Sequence, residues 1–139
     1  MNKKQLHRWF ITASLFAGIT FLISSCEKPA GEGGKASVYG KIWVQEWNNS
    51  YTVLNGEHAG MDEDVYIIYG DDVNYGDKQT TNYNGEFEFK YLRKGKYKVF
   101  IYSRFRALNK SGDSTVVKEI EIKDTKEKID LGQLLIYKK

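Results

Sequence analysis

Acidic side chains are the most concentrated chemical groups of this chain. Asp62, Glu63 and Asp64 precede a short apolar run, Val65 to Tyr69, and Asp71, Asp72 and Asp77 follow it with Asn74. Hard oxygen ligands of this kind bind calcium. Their spacing does not match an EF-hand loop, and Asp, Asn and Gly are also the residues of which turns are made. The pattern therefore reads as solvated turns at both ends of a strand, with no metal ligand assigned. Glu86 and Glu88 share one face of a strand pattern, opposite Phe87 and Phe89. Cross-strand pairing with Lys96 and Lys98 accounts for them without glycosidase chemistry. His58 is the only histidine beyond His7, and neither a Gly-x-Ser-x-Gly nor a Ser-His-Asp context surrounds it, so no activated nucleophile is available to it. No catalytic residue and no cofactor are assigned, and the chain is expected not to be an enzyme.

Aromatic placement supplies a different kind of candidate. Tyr39, Trp43 and Trp47 fall on one face of a strand pattern, and Asn48 and Asn49 follow directly. A row of rings with nearby amides suits stacking against sugar rings or docking of a protein. The three residues are the candidate ligand-binding set. The competing reading is that the long connection Asn48 to Asp64 lies over this face and turns the tryptophans into a second core layer.

These residues must be held by strands. The first is predicted over Ala36 to Trp47, with Val38, Gly40, Ile42 and Val44 on the other face from the aromatic row. Val65 to Tyr69 is a buried strand, Lys78 to Tyr83 a polar edge strand, and the Asn48 to Asp64 connection holds either a short extra strand or an excursion over the edge. From Asn84 to Tyr102, Phe87 and Phe89, then Tyr97, Val99 and Ile101, alternate with Glu and Lys. This period of two, with Asn84-Gly85 and Gly95 as turn residues, predicts a β-hairpin with Leu92 tucked under its turn. Arg104 to Asp113 is a polar loop holding Phe105 and Leu108. Ser114 to Ile122 and Ile129 to Tyr137 close the set, with Gly132 as a bulge. About seven strands at short spacing, without a convincing helix, predict an all-β, antiparallel β-sandwich.

The amino terminus has a different character. Met1 to Arg8 is a short basic segment, Trp9 to Ile23 is mostly apolar, and Ser24-Ser25 are small, which is signal-peptide architecture. The apolar run, interrupted by Thr12, Ser14 and Thr20, is short for a spanning helix. Leu22-Ile23-Ser24-Ser25-Cys26 resembles the lipobox of bacterial lipoproteins, which implies cleavage before Cys26 and its acylation. Several acyl chains hold a protein firmly at a bilayer where one does not. Glu27 in place of Asp resembles lipoproteins sent on to an outer membrane, and Lys28 interrupts any acidic run, leaving the periplasmic and the surface face both open. Three of the 21 basic residues lie in residues 1–25, so the remainder balances at 18 basic and 18 acidic. Nucleic acid, which needs clustered excess positive charge, is excluded on that ground. A single cysteine excludes an internal disulfide. The predicted organisation is a signal peptide over 1–25, a lipidated flexible tether over 26–37 containing Pro29, Gly31, Gly33 and Gly34, and one β-sandwich domain over 38–139.

The domain also resembles a family. Val38-Tyr39-Gly40-Lys41-Ile42, the run at Val65 to Tyr69, Thr80-Thr81 leading to Asn84-Gly85-Glu86-Phe87, then Leu92, Gly95, Tyr97 and Val99, and finally Ile129-Asp130-Leu131-Gly132 resemble, in that order, the carboxypeptidase regulatory-like and collagen-adhesin B-type repeats. The resemblance implies a seven-stranded, prealbumin-like (Ig-like) sandwich, with an ordinary immunoglobulin-like or fibronectin-like domain as the competitor. Adhesin repeats often carry a Lys to Asn or Asp isopeptide bond promoted by an acid. Ile101 stands where that acid would fall and the closing strand offers only Asp130, so Lys41 is expected to be a solvated strand lysine. The expected function is a non-enzymatic envelope lipoprotein, a binding or structural accessory module for other envelope proteins. The alternative is a carbohydrate-binding lipoprotein using the aromatic row. Expected partners are a membrane through Cys26 and an envelope protein or glycan.

Overall fold

The computed structural model describes residues 28–104 and 113–139. The predicted leader, Cys26, and Phe105 and Leu108 lie outside the described residues. Among those described, all regular structure is β: β1 (Glu32–Trp47), β2 (Leu54–Ala59), β3 (Asp64–Tyr69), β4 (Asp77–Thr80), β5 (Glu86–Leu92), β6 (Gly95–Arg104), β7 (Asp113–Ile122) and β8 (Lys128–Lys138). In the first sheet β1 is central, with β8 along one side and β5 followed by β2 along the other; the second sheet has the order β4-β3-β6-β7. Alternation selects the faces that meet. Val38, Ile42 and Val44 of β1, Phe89 of β5 and Ile136 of β8 oppose Val65 and Ile67 of β3 and Val99 of β6, all fully buried. Side-chain burial on this scale is the main stabilising term of the fold.

Four sequence expectations are corrected. There are eight strands, not seven, because the long connection folds back as β2 beside Trp43 to Trp47. The sandwich is not wholly antiparallel: β8 runs parallel to β1 from Ser37 opposite Lys128 to Glu46 opposite Lys138. The reason is where β7 delivers the chain. Ile122 lies opposite Gly95, at the end of the sandwich where β1 also starts, so β8 must run the same way as β1.

The stretch from Asn84 to Tyr102 is not a hairpin. β5 pairs with β1, whereas β6 pairs with β3 and β7, so Arg93-Lys94 carries the chain from one sheet to the other. Tyr91 at φ 60° and Gly95 at φ 139° flank the crossing, and Leu92 closes the core beneath it, 1% exposed. Alternation fixes which face is buried and is silent about which strand lies alongside.

The glycine-rich stretch read as a tether is largely part of the sheet. β1 begins at Glu32, Ala30 packs on the core, and Gly31 N–H donates to Tyr97 Oη at 2.9 Å while Gly31 O accepts the Arg93 N–H at 2.8 Å. A Cβ on Gly34 would lie 1.8 Å from Leu92 O. Glycine here permits close backbone approach rather than flexibility. The Gly132 bulge is present: β1 advances from Tyr39 to Lys41 while β8 advances from Asp130 to Gln133, with Gly132 at φ 67°.

Candidate functional site

The sandwich offers two outer faces. On the first sheet Tyr39, Lys41, Trp43, Gln45 and Trp47 point outward along β1, as expected, with Tyr39 38% exposed and the tryptophans half-buried. Trp43 is level with Ala59 of β2 and Leu135 of β8, and Trp47 with Leu54. β2 therefore lies in the plane of the sheet beside the tryptophans, so this part of the connection flanks the row. Lys41 Nζ sits 5.6 Å from the centre of the Trp43 ring, a cation–π contact on the outer face. Tyr39 stands in a groove of about 730 Å³ with Lys41, Asn82, Glu86, Asp130 and Gln133 among its lining. Asn82 Nδ2 donates to Glu86 at 3.0 Å, and Asp130 accepts the Gly132 N–H at 2.8 Å.

The expected pairing of Glu86 and Glu88 with Lys96 and Lys98 is absent because the crossing sends β6 to the other sheet. Glu88 instead pairs with Lys90 at 3.1 Å, Lys98 approaches Glu119 at 3.9 Å, and Lys96 lies opposite Glu121. Ile101 is buried in the core, and Lys41 and Asp130 both face outward, so no lysine and acid meet there in the manner of an isopeptide bond.

The second sheet carries a cluster that strand-by-strand reading missed. Tyr66 of β3 stacks on Phe100 of β6 with centroids 5.0 Å apart and planes 13° apart. Tyr75, from the β3–β4 turn, meets the Tyr66 ring edge-on at 5.0 Å, and Tyr102 packs against both Tyr66 and Phe100 at 5.7 and 5.8 Å. Register explains the assembly, since Tyr66 lies directly opposite Phe100 and Phe100 directly opposite Val117. Such pairs add about 0.5–1.5 kcal/mol each beyond area burial. Tyr75, Tyr102 and Val117 nevertheless remain 56, 53 and 48% exposed. Around them lies a rim of mutually paired polar groups: Asp64 accepts from Lys78 Nζ at 2.9 Å and from Thr80 Oγ1 at 2.8 Å, which holds its carboxyl below the usual range. The signal in the sequence was the pair Phe100 and Tyr102, out of phase with the buried Val99 and Ile101.

The remaining chemical candidates are dispersed. Asp62 and Glu63 lie before β3 and Asp71 and Asp72 after it, and no group of three or more His, Cys, Asp or Glu able to hold a metal occurs among the described residues. Glu63 instead pairs with Lys138. His58, on exposed β2, has Nδ1 2.8 Å from Ala59 O and Nε2 3.2 Å from Glu46, and these two acceptors raise its pKa.

No protein-family model matches this chain, and no curated protein matches it. Among solved structures it is similar to a Pseudomonas aeruginosa protein described, provisionally, as carbohydrate binding. That likeness is 14% identity over 78% of this chain and 92% of the other, with a TM-score of 0.45. It is also similar to a 9R-lipoxygenase from Cyanothece, at 18% identity over 70% of this chain and 16% of the other, with a TM-score of 0.29. The assignment of a β-sandwich rests on the strand pairing described above.

Proposed function

We propose that this protein is a non-enzymatic lipoprotein of a Gram-negative envelope, acylated at Cys26 and held at the outer membrane, whose sandwich docks another envelope protein on the outer face of its second sheet. The observation that carries the docking reading is the half-exposed cluster of Tyr66, Tyr75, Phe100 and Tyr102. An aromatic centre inside a rim of paired charges is the anatomy of a protein interface. Tyr66 and Phe100 each cover part of the other's ring face, which suits a partner's side chains better than a flat sugar ring. The lipid anchor is supported by Leu22 to Cys26 with Glu27. A prealbumin-like form is supported by the seven strands left when β2 is set aside, three in one sheet and four in the other. The non-enzymatic reading is supported by His58, whose two ring nitrogens both meet acceptors, and by Glu88, paired with Lys90.

Hydroxyl-radical footprinting tests the docking face. Tyr75 and Tyr102 should be protected in intact envelopes relative to the purified protein, while Tyr83, 76% exposed, should not. Equal protection of all three removes the proposal. A second reading, glycan binding on the first sheet, is favoured by the groove that joins Tyr39 to the amides and carboxylates of Asn82, Gln133, Glu86 and Asp130. Trp43 and Trp47 are the only tryptophans beyond Trp9, so fluorescence reports on that face. No spectral change across a polysaccharide panel rejects this reading.

A further inference from the structure

The end of the sandwich at which β1 begins carries positive charge without compensation. Lys28, Lys35, Arg93, Lys94 and Lys126 line one hollow of about 370 Å³, together with Gly33, Gly34, Leu92 and Thr125 and no acidic residue. Among the described residues none of these five cations has a carboxylate within 4.0 Å. Elsewhere Lys78, Lys90, Lys98, Lys123 and Lys138 each pair with an acid, and the lysines that do not, such as Lys41, Lys118 and Lys139, are scattered along the strands and their ends; among the described residues, only here do five cations share one acid-free lining. Acids on the same segments are turned to other work. Glu127 accepts the Lys123 and Asp124 N–H groups at 2.7 and 3.1 Å, and Glu32 accepts from Tyr69 Oη at 3.4 Å; Asp124 is exposed in the same turn but does not line the hollow. Arg93 adds a buried Nε–H with no hydrogen-bond partner.

Position gives this charge its meaning. Ala30 is packed on the core and Gly31 is bonded to Tyr97 and Arg93, so the chain is fixed only a few residues beyond Cys26. At full extension Cys26 lies about 7 Å from Lys28 and about 14 Å from Ala30. The first of these is within the Debye length of about 8 Å at physiological salt. A connection of so few residues cannot lift the hollow clear of the bilayer to which Cys26 would be attached. We propose that this basic end seats directly on the phosphate headgroups of an anionic phospholipid leaflet, so that the sandwich stands on the membrane in one orientation with β1 rising from it. This rests on the lipoprotein reading for its geometry and adds a second, non-covalent membrane contact. Two signals, a lipid and a basic patch, together make anchoring stable.

The test uses the chain from residue 26 with Cys26→Ser, which retains every described core residue, in co-sedimentation with vesicles. It should bind vesicles containing phosphatidylglycerol, ignore pure phosphatidylcholine, and release at high salt. Each cation near an anionic surface is worth about fivefold in partitioning, so Lys94→Ala with Lys126→Ala should weaken binding at least tenfold at unchanged Tm. Lys118→Ala with Lys139→Ala, equal in charge but away from the hollow, should weaken it less than threefold. Equal binding by both double variants, binding to neutral vesicles, or no binding at all overturns the proposal. Full competition by inorganic phosphate at constant ionic strength also overturns it, in favour of a small-anion site. Intact mass of the membrane-extracted wild type separates the two ideas: acyl mass on Cys26 with no vesicle binding by the serine variant sinks the headgroup contact alone, and an unmodified Cys26 sinks the lipoprotein reading alone.

Discussion

The two outer faces of the sandwich are built from similar residues in different ways. On the first sheet the aromatic row runs along one strand, and its members are separated by Lys41 and Gln45. On the second sheet the aromatic residues lie across strands and a turn, touching one another through register and not through spacing. A row along a strand presents rings one at a time beside polar groups, as at Tyr39. A cluster across strands brings its rings into contact as one patch, the feature on which the docking proposal rests.

Because both faces are the backs of one core, the largest effect falls on both together. Phe89→Ala removes a fully buried ring and should cost about 3–5 kcal/mol. Tryptophan fluorescence and near-ultraviolet tyrosine circular dichroism should then report one shared transition; two separate transitions would show that the faces belong to independent units. Next in size is the contrast between faces. Tyr66→Ala deletes ring contacts to Tyr75, Phe100 and Tyr102, at about 0.5–1.5 kcal/mol each. Tyr39→Ala, 38% exposed on the first sheet, should change stability by less than about 0.5 kcal/mol. Urea midpoints that shift equally would erase the distinction.

Protonation sharpens the comparison with smaller effects. Lys78 and Thr80 hold the Asp64 carboxyl low, so its contribution is present above the unfolded carboxyl range and lost as pH falls through the folded value. Asp64→Asn should be less stable than wild type at pH about 7, and the difference should shrink as pH falls through the folded carboxyl value. His58 has the opposite sign. Ala59 O and Glu46 raise its pKa, so its contribution is complete below about pH 6.5 and lost as pH rises through the folded value. His58→Gln should thus differ most from wild type at low pH, with the difference fading as pH rises through the folded value, and by the smallest amount in this series. An imidazole titration by NMR at or below the ordinary histidine value would contradict the geometry.

How much of this was legible in the sequence follows from what periodicity encodes. The inward set, from Val38 and Ile42 to Phe89 and Val99, was readable because burial repeats every second residue. The outward row of Tyr39, Trp43 and Trp47 was readable for the same reason. The crossing at Arg93-Lys94 was not, because a hairpin and an inter-sheet crossing impose the same alternation on their strands. The parallel β8 and the aromatic cluster depend on which strands become neighbours, and no local pattern states that. Gly34 shows a further limit: in composition it reads as linker, whereas its place against Leu92 O makes it part of the sheet.

The central claim is that the cluster on the second sheet, not the row on the first, is the docking face. Site-specific photocrosslinking in living cells tests it most directly, with a benzoylphenylalanine placed at position 102 or at position 39. The account predicts discrete protein adducts from position 102 and none from position 39. Adducts from position 39 with none from position 102 would contradict it.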